Sequence, residues 1–240
     1  MYSPTSGAPS LALLAAEPLR AVKDYLSSHL SPRNLPRGEG QTVLVIPGLG
    51  AGPWSTSRLR STLADAGFDV HDWGLGTNTG PKDDVDEWLA EIDAKLHQLF
   101  SANKQKVSLV GWSLGGIFAR ELAKRHPRMV KQVITLGTPW MDFETGTNAS
   151  GLYRLMNRRA SPMTTSLRAR LGQNPNVPLT AVYSRNDGIV SWQTCVLREA
   201  LWAENVEVNN ASHLGMCANP AVIRLVADKL SRKKISMGRN

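Results

Sequence analysis

Val107-Ser108-Leu109-Val110-Gly111-Trp112-Ser113-Leu114-Gly115-Gly116-Ile117-Phe118-Ala119-Arg120 is the stretch on which the reading of this chain turns. Val107 to Gly111 has the apolar, β-prone run of a buried strand, and from Leu114 to Arg125 the apolar residues recur at helical spacing, ending just before Pro127. Strand therefore passes into helix with almost nothing between them. Gly111-Trp112-Ser113-Leu114-Gly115 has the G-x-S-x-G form of a nucleophile elbow, a sharp turn that needs small residues around a serine lifted above a sheet. Chance alone gives such a pentapeptide about once in seven chains of this composition, so the strand-to-helix setting carries the argument.

Outward from the elbow the pattern alternates. On the N-terminal side lie Val43 to Ile46 as a buried strand, a helix from about Thr56 to Asp65, Phe68 to Trp73 as a strand and a helix over 82–100. On the C-terminal side lie the strands Val133 to Leu136, Leu179 to Tyr183 and Val206 to Val208, with helices near Gln193 to Leu201 and from Pro220 to Leu230. Such alternation predicts an α/β fold with a mostly parallel, doubly wound sheet and a site at the carboxyl ends of its strands. Between Met141 and Val177 the alternation lapses, and two short amphipathic helices with five arginines are expected, a helical cap insertion over 141–176. Residues 1–40 read as a helical arm and Pro-rich linker. Its apolar residues Leu11, Leu14, Leu19, Val22, Tyr25 and Leu26 are the expected packing stripe, broken at Pro18. Residues 41–231 form the main domain and 232–240 a basic tail.

With 240 residues, 42% hydrophobic and 20% charged, the chain can bury a sizeable core, which excludes disorder as its main state. Its formal charge of +8 raises the question of nucleic acid. Residues 41–100 carry 4 basic and 9 acidic groups, whereas 101–176 carry 12 and 3. No aromatic residues interleave the basic clusters as stacking platforms, so the excess is read as solvated surface, suited to an anionic lipid surface or substrate rather than to nucleic acid. No apolar stretch approaches the roughly 20 residues of a membrane-spanning helix. The first basic residue, Arg20, follows the N-terminal apolar run, so no secretory leader is read and a cytoplasmic setting is expected, a trimmed leader being the alternative. The spacing of the histidines and cysteines suits no metal, no phosphate-binding loop occurs, and no cofactor is expected. Oligomeric state has no signature here.

A serine hydroxyl is a poor nucleophile at neutral pH, so a base must take its proton and an acid must orient that base. His213, in Ala211-Ser212-His213-Leu214-Gly215-Met216, follows the last strand and is the expected base; His126 sits too close to the end of the elbow helix. Asp187, in Ser184-Arg185-Asn186-Asp187-Gly188, lies in a turn after a strand and is the expected acid, with Asp142 and Glu144 as competitors. The oxyanion formed in acyl transfer needs two backbone N–H donors, and Leu114 and Leu49 occupy suitable positions, the latter in Pro47-Gly48-Leu49-Gly50-Ala51-Gly52. That loop begins a dinucleotide-binding G-x-G-x-x-G pattern but carries Pro53 at its third position, which sets the reading aside.

Taken together, VLVIPGLGAGPWS, VSLVGWSLGG, VITLGTPW, YSRNDGIV and SHLGM resemble, in order and over roughly residues 41–230, the bacterial α/β-hydrolases of the lipase and esterase type. The resemblance implies Ser113, Asp187 and His213 as a triad, the Leu49 and Leu114 amides as an oxyanion hole, and the α/β-hydrolase fold. Pro47, where many lipases have His, and Trp112, where His or Tyr is common, depart from the pattern and bear on substrate. The expected activity is a serine carboxylic-ester hydrolase working through an acyl-enzyme on apolar, lipid-like acyl esters. An acyltransferase or thioesterase with the same triad, and a non-catalytic ligand-binding protein, are the alternatives. Substrate contacts are expected from Gly48 and Trp112 and from the cap stripe Leu152, Leu155, Met156, Met163 and Leu167, with the cap arginines facing solvent. Cys195 and Cys217 follow the acid and base loops by 8 and 4 residues. They could close a loop of about 22 residues, stabilising by on the order of 3 kcal/mol, or stay reduced as buried core residues.

Overall fold

A computed structural model describes residues 7–28, 34–81, 85–140, 147–148, 165–197 and 200–232. Six strands, β1 (Thr42–Ile46), β2 (Asp69–Asp72), β3 (Val107–Trp112), β4 (Val130–Leu136), β5 (Leu179–Tyr183) and β6 (Ala203–Glu207), form one sheet in the order β2-β1-β3-β4-β5-β6, every pair parallel. The chain leaves β1 toward one edge and β3 toward the other, which opens a crevice at the carboxyl ends of those two strands. Strands buried on both faces need apolar residues pointing both ways, and β1 supplies them. Val43 and Val45 join one half of the core with α2 (Ser57–Asp65) and the C-terminal helix α7 (Pro220–Ser231), while Leu44 and Ile46 join the other with α3 (Val85–Asn103) and α4 (Leu114–Arg125).

The strands and the helices α2, α3, α4 and α7 stand close to where the periodicity puts them. The helix expected over Gln193 to Leu201 does not form: α6 is the single turn Trp192–Cys195. Asn205 explains it, because its side chain clamps both the N–H and the carbonyl of Leu197, at 2.7 and 3.1 Å, and holds the chain out of helical geometry. Of the cap, Leu152, Leu155, Met156 and Met163 lie outside the described residues. One expected helix is present as α5 (Thr165–Leu171), but the side chain of Leu167 lies outside the description. Arg170 does not simply face solvent, as the cap arginines were expected to. It bonds Glu121 at 3.0 Å and Asp86 at 2.8 and 3.1 Å, joining α5 to α4 and α3. Beside it the fully buried Arg120 donates to the carbonyls of Leu171 and Gln173 and lies over the Trp140 ring; burial lowers its pKa to about 10.

The N-terminal arm departs most from expectation. α1 (Leu11–Ser28) runs unbroken through Pro18, with Arg20 donating to the carbonyls of Ala16 and Leu13 in the turn that proline weakens. The stripe expected to pack inward points outward: Leu11 is 79% exposed, Leu19 76% and Leu26 61%. The buried face is polar, made of Glu17, Asp24 and Ser28. Cys195 and Cys217 are free and buried, so the bridge weighed above is not formed. Burial, and for Cys195 also the charge of Asp187, holds both thiols above their ordinary pKa, that of Cys217 at about 12. No helix of the described residues is long and apolar enough to cross a membrane.

Candidate active site

Ser113 sits between β3 and α4 with φ +54° and ψ −124°, a region that a non-glycine residue enters only when its surroundings force it. The surroundings are glycines that let backbones touch. A Cβ on Gly115 would run into the Ile46 and Pro47 carbonyls, and one on Gly116 into the Thr138 side chain, so α4 starts hard against β1 and β4. Thr138 Oγ1 donates to the Ser113 carbonyl at 2.9 Å and the Ser113 N–H donates to Leu136 O at 2.8 Å, which fixes the turn.

The base and acid arrive from the ends of β6 and β5. His213 Nε2 lies 3.0 Å from Ser113 Oγ, and Nδ1 lies 2.6 Å from Asp187 Oδ2. The other carboxylate oxygen, Asp187 Oδ1, accepts the Ile189 and Val190 N–H groups at 2.9 and 2.7 Å, so the acid is pinned by its own loop. Gly137, at the end of β4 with φ +55°, passes beneath the pair; a Cβ there would stand 3.1 Å from His213 Nδ1 and 3.2 Å from Asp187 Oδ2. Burial of the His213 ring disfavours its charged form, but the charge and hydrogen bond of Asp187, with the charge of Glu17, outweigh that, and its pKa lies above 6.5.

Gly48 brings the β1 loop to the serine, since a Cβ there would lie 3.0 Å from the Ser113 Cβ. Leu49 follows it, and Leu114 opens α4, where the first N–H groups have no intrahelical acceptor. Neither amide donates a hydrogen bond among the described residues. Two donors flanking a nucleophile, with a base on its proton, can hold a tetrahedral oxyanion. Trp112 stands elsewhere than expected. It is buried, its indole N–H donates to His213 O at 3.1 Å, and its ring lies 5.7 Å from the imidazole, so it holds the base loop rather than facing substrate. His126 caps the end of α4 and meets Asp93, away from this cluster. Asp142 and Glu144 lie outside the described residues.

Two features of the site carried no sequence signal. Asn78, wholly buried, donates to Pro47 O at 2.7 Å and exchanges backbone hydrogen bonds with Gly50 and Ala51, so it sets the shape of the Leu49 loop. Glu17 and Asp24 of α1 reach the acid and base loops.

The family model described as alpha/beta hydrolase fold matches residues 41–158. The chain is 28% identical over 102 residues to a pimeloyl-acyl-carrier-protein methyl ester esterase of Shewanella woodyi, covering 42% of this chain and 37% of that protein. It is 31% identical over 107 residues to a serine hydrolase of Mus musculus, again 42% of this chain and 37% of that protein. The matches thus span well under half the length of these relatives. Among solved structures, a Bacillus licheniformis lipase in mature form superposes with a TM-score of 0.60 at 17% identity, over 83% of this chain and 95% of that one. Aspergillus fumigatus lipase B gives 0.60 at 15% identity, over 84% and 55%. These likenesses and the parallel sheet agree on the fold.

Proposed function

From a chain with the α/β-hydrolase fold, we propose a serine hydrolase that cleaves carboxylic esters through an acyl-enzyme. The observation that carries the reading is the continuous hydrogen-bonded line Asp187–His213–Ser113, at 2.6 and 3.0 Å, beside the Leu49 and Leu114 amides, which donate no hydrogen bond among the described residues. Ser113 Oγ attacks the ester carbonyl carbon as its proton passes to His213 Nε2. The developing oxyanion is held by the Leu49 and Leu114 N–H groups. The intermediate collapses, the carbon–oxygen bond to the alcohol breaks, and His213 returns the proton to the leaving alkoxide. Water then repeats the sequence on the acyl-serine and frees the acid. Asp187 keeps Nδ1 protonated and stabilises the imidazolium.

Apolar acyl esters are the favoured substrates. The esterase and lipase names among the relatives support an ester, and the elbow strand packs through Val110 and Trp112 into an apolar core with Leu136. The test is a panel of chromogenic esters of increasing acyl length, run for wild type and Ser113→Ala with product analysis in added methanol. Turnover lost in Ser113→Ala, with acid as the main product, supports the hydrolase. Methyl ester in excess over acid would favour an acyltransferase, and no turnover of any ester would reject the reading.

A further inference from the structure

α1 turns its apolar side outward in order to bring two carboxylates inward, and both end on the loops that carry the acid and the base. Glu17, 1% exposed, accepts the Gly188 N–H at 2.7 Å and the His213 N–H at 3.2 Å on Oε1, and the Leu214 N–H at 3.3 Å on Oε2. About two turns later, Asp24 accepts the Ser212 N–H at 2.9 Å and hydroxyl at 2.5 Å, and the Asn219 amide at 2.9 Å. The approach is close enough that a Cβ on Gly188 would run into the Leu13 carbonyl and one on Gly215 into Asp24. Arg20 completes the contact, donating to Asn186 O while pairing with Glu17 at 3.4 Å.

We propose that Glu17 is a positioning residue for the serine chemistry, clamping the Asp187 loop to the His213 loop and setting the charge environment of the imidazole. The proposal deepens the serine-hydrolase reading and rests on it. Asp187 and His213 come from two different strand ends, and the Glu17 carboxylate bonds the residue after the acid and the base itself with a single side chain. Remove it and three N–H groups lose their acceptor, the buried ones of Gly188 and His213 at a cost comparable with a lost hydrogen bond, so the loops must shift to find others. A shift of about 1 Å between base and nucleophile is enough to cost on the order of a hundredfold in rate. The second effect is electrostatic. Facing His213 are Asp187 from the loop after β5, Glu17 of α1 with its partner Arg20, and Asp24 of α1 through Ser212, while Ser113, Trp112 and Gly137 bring no charge. Glu17 is the carboxylate besides Asp187 whose charge favours the imidazolium.

The test compares Glu17→Gln and Glu17→Ala with wild type by three readouts. These are kcat and KM on a short chromogenic ester, the acid limb of the pH profile, and the NMR titration of the His213 ring. Glu17→Gln keeps one acceptor oxygen without the charge. It should retain kcat within about tenfold, with KM nearly unchanged, and titrate His213 at a lower pH than wild type. Glu17→Ala should lose about a hundredfold in kcat. If both variants lower only the melting temperature, with His213 titrating as in wild type and kcat within twofold, Glu17 is merely structural. Should Glu17→Ala fail to fold, the titration in Glu17→Gln decides. A wild type without esterase turnover would sink the function proposed above, while the titration would still decide the electrostatic part of this one.

Discussion

Asp187→Asn is the change whose effect the structure specifies most closely. The two carboxylate oxygens have different duties: Oδ1 accepts the Ile189 and Val190 amides, and Oδ2 accepts from His213 Nδ1. An asparagine has one oxygen to offer, and its NH2 against the two buried amides would orphan both, at about 1–3 kcal/mol each. The oxygen therefore faces the loop and the NH2 faces the imidazole. His213 must then leave Nδ1 unprotonated and carry its proton on Nε2, which donates to Ser113 Oγ instead of accepting from it. A base in the wrong tautomer costs about 10⁴ in kcat where the same substitution has been made in a triad of this kind, or about 5 kcal/mol at 1.36 kcal/mol per decade. KM should change little, and the melting temperature should hold, because the volume and both loop hydrogen bonds survive. The assay is steady-state hydrolysis of a short chromogenic ester beside a thermal melt. A loss under tenfold in kcat would refute the assignment of Asp187 as the acid, and a crippled Asp142→Asn beside a mild Asp187→Asn would move the acid there.

With the His213 pKa held above 6.5, the acid limb of kcat/KM should have its midpoint above 6.5; a rate flat from pH 5 to 8 would remove histidine from the mechanism. The same raised pKa makes the stabilising contribution of His213 full below about 6.5 and lost as pH rises through the folded value, so denaturant titrations of wild type and His213→Ala should diverge most on the acid side. Asn78→Ala frees the Pro47 carbonyl and the loop carrying Leu49. It should lower kcat by about tenfold or more with KM nearly unchanged, and an unaltered kcat would show that the loop keeps its shape without it. Gly115→Ala puts a methyl group into the Ile46 and Pro47 carbonyls and should cost about 1–3 kcal/mol or more in chemical denaturation; an unchanged midpoint would mean that the elbow can open.

The elbow, the strand order of events and the positions of Asp187 and His213 were legible because each depends on short-range pattern: a strand that ends in small residues, a turn after a strand, a helix start. What pattern could not show is which side of an amphipathic helix a domain needs. In α1 the rule that apolar residues face inward fails, since the loops beneath it present buried N–H groups, and those need the Glu17 and Asp24 carboxylates more than they need leucines. Asn78 was invisible for a related reason: its value lies in bonds to Pro47, Gly50 and Ala51, about thirty residues away, and a lone buried asparagine has no sequence signature. Trp112 looked like a substrate contact by adjacency to Ser113. Alternation along β3 instead turns it into the core with Val110, where its indole N–H donates to the His213 carbonyl.

The most direct test of the central claim is covalent labelling of the intact chain with a fluorophosphonate, followed by peptide mapping. The Asp187–His213–Ser113 line makes one serine far more nucleophilic than the rest, so one adduct per chain is expected, on Ser113, formed slowly in Asp187→Asn and absent in Ser113→Ala. No adduct on the folded wild type, or an adduct on a different serine, would contradict it.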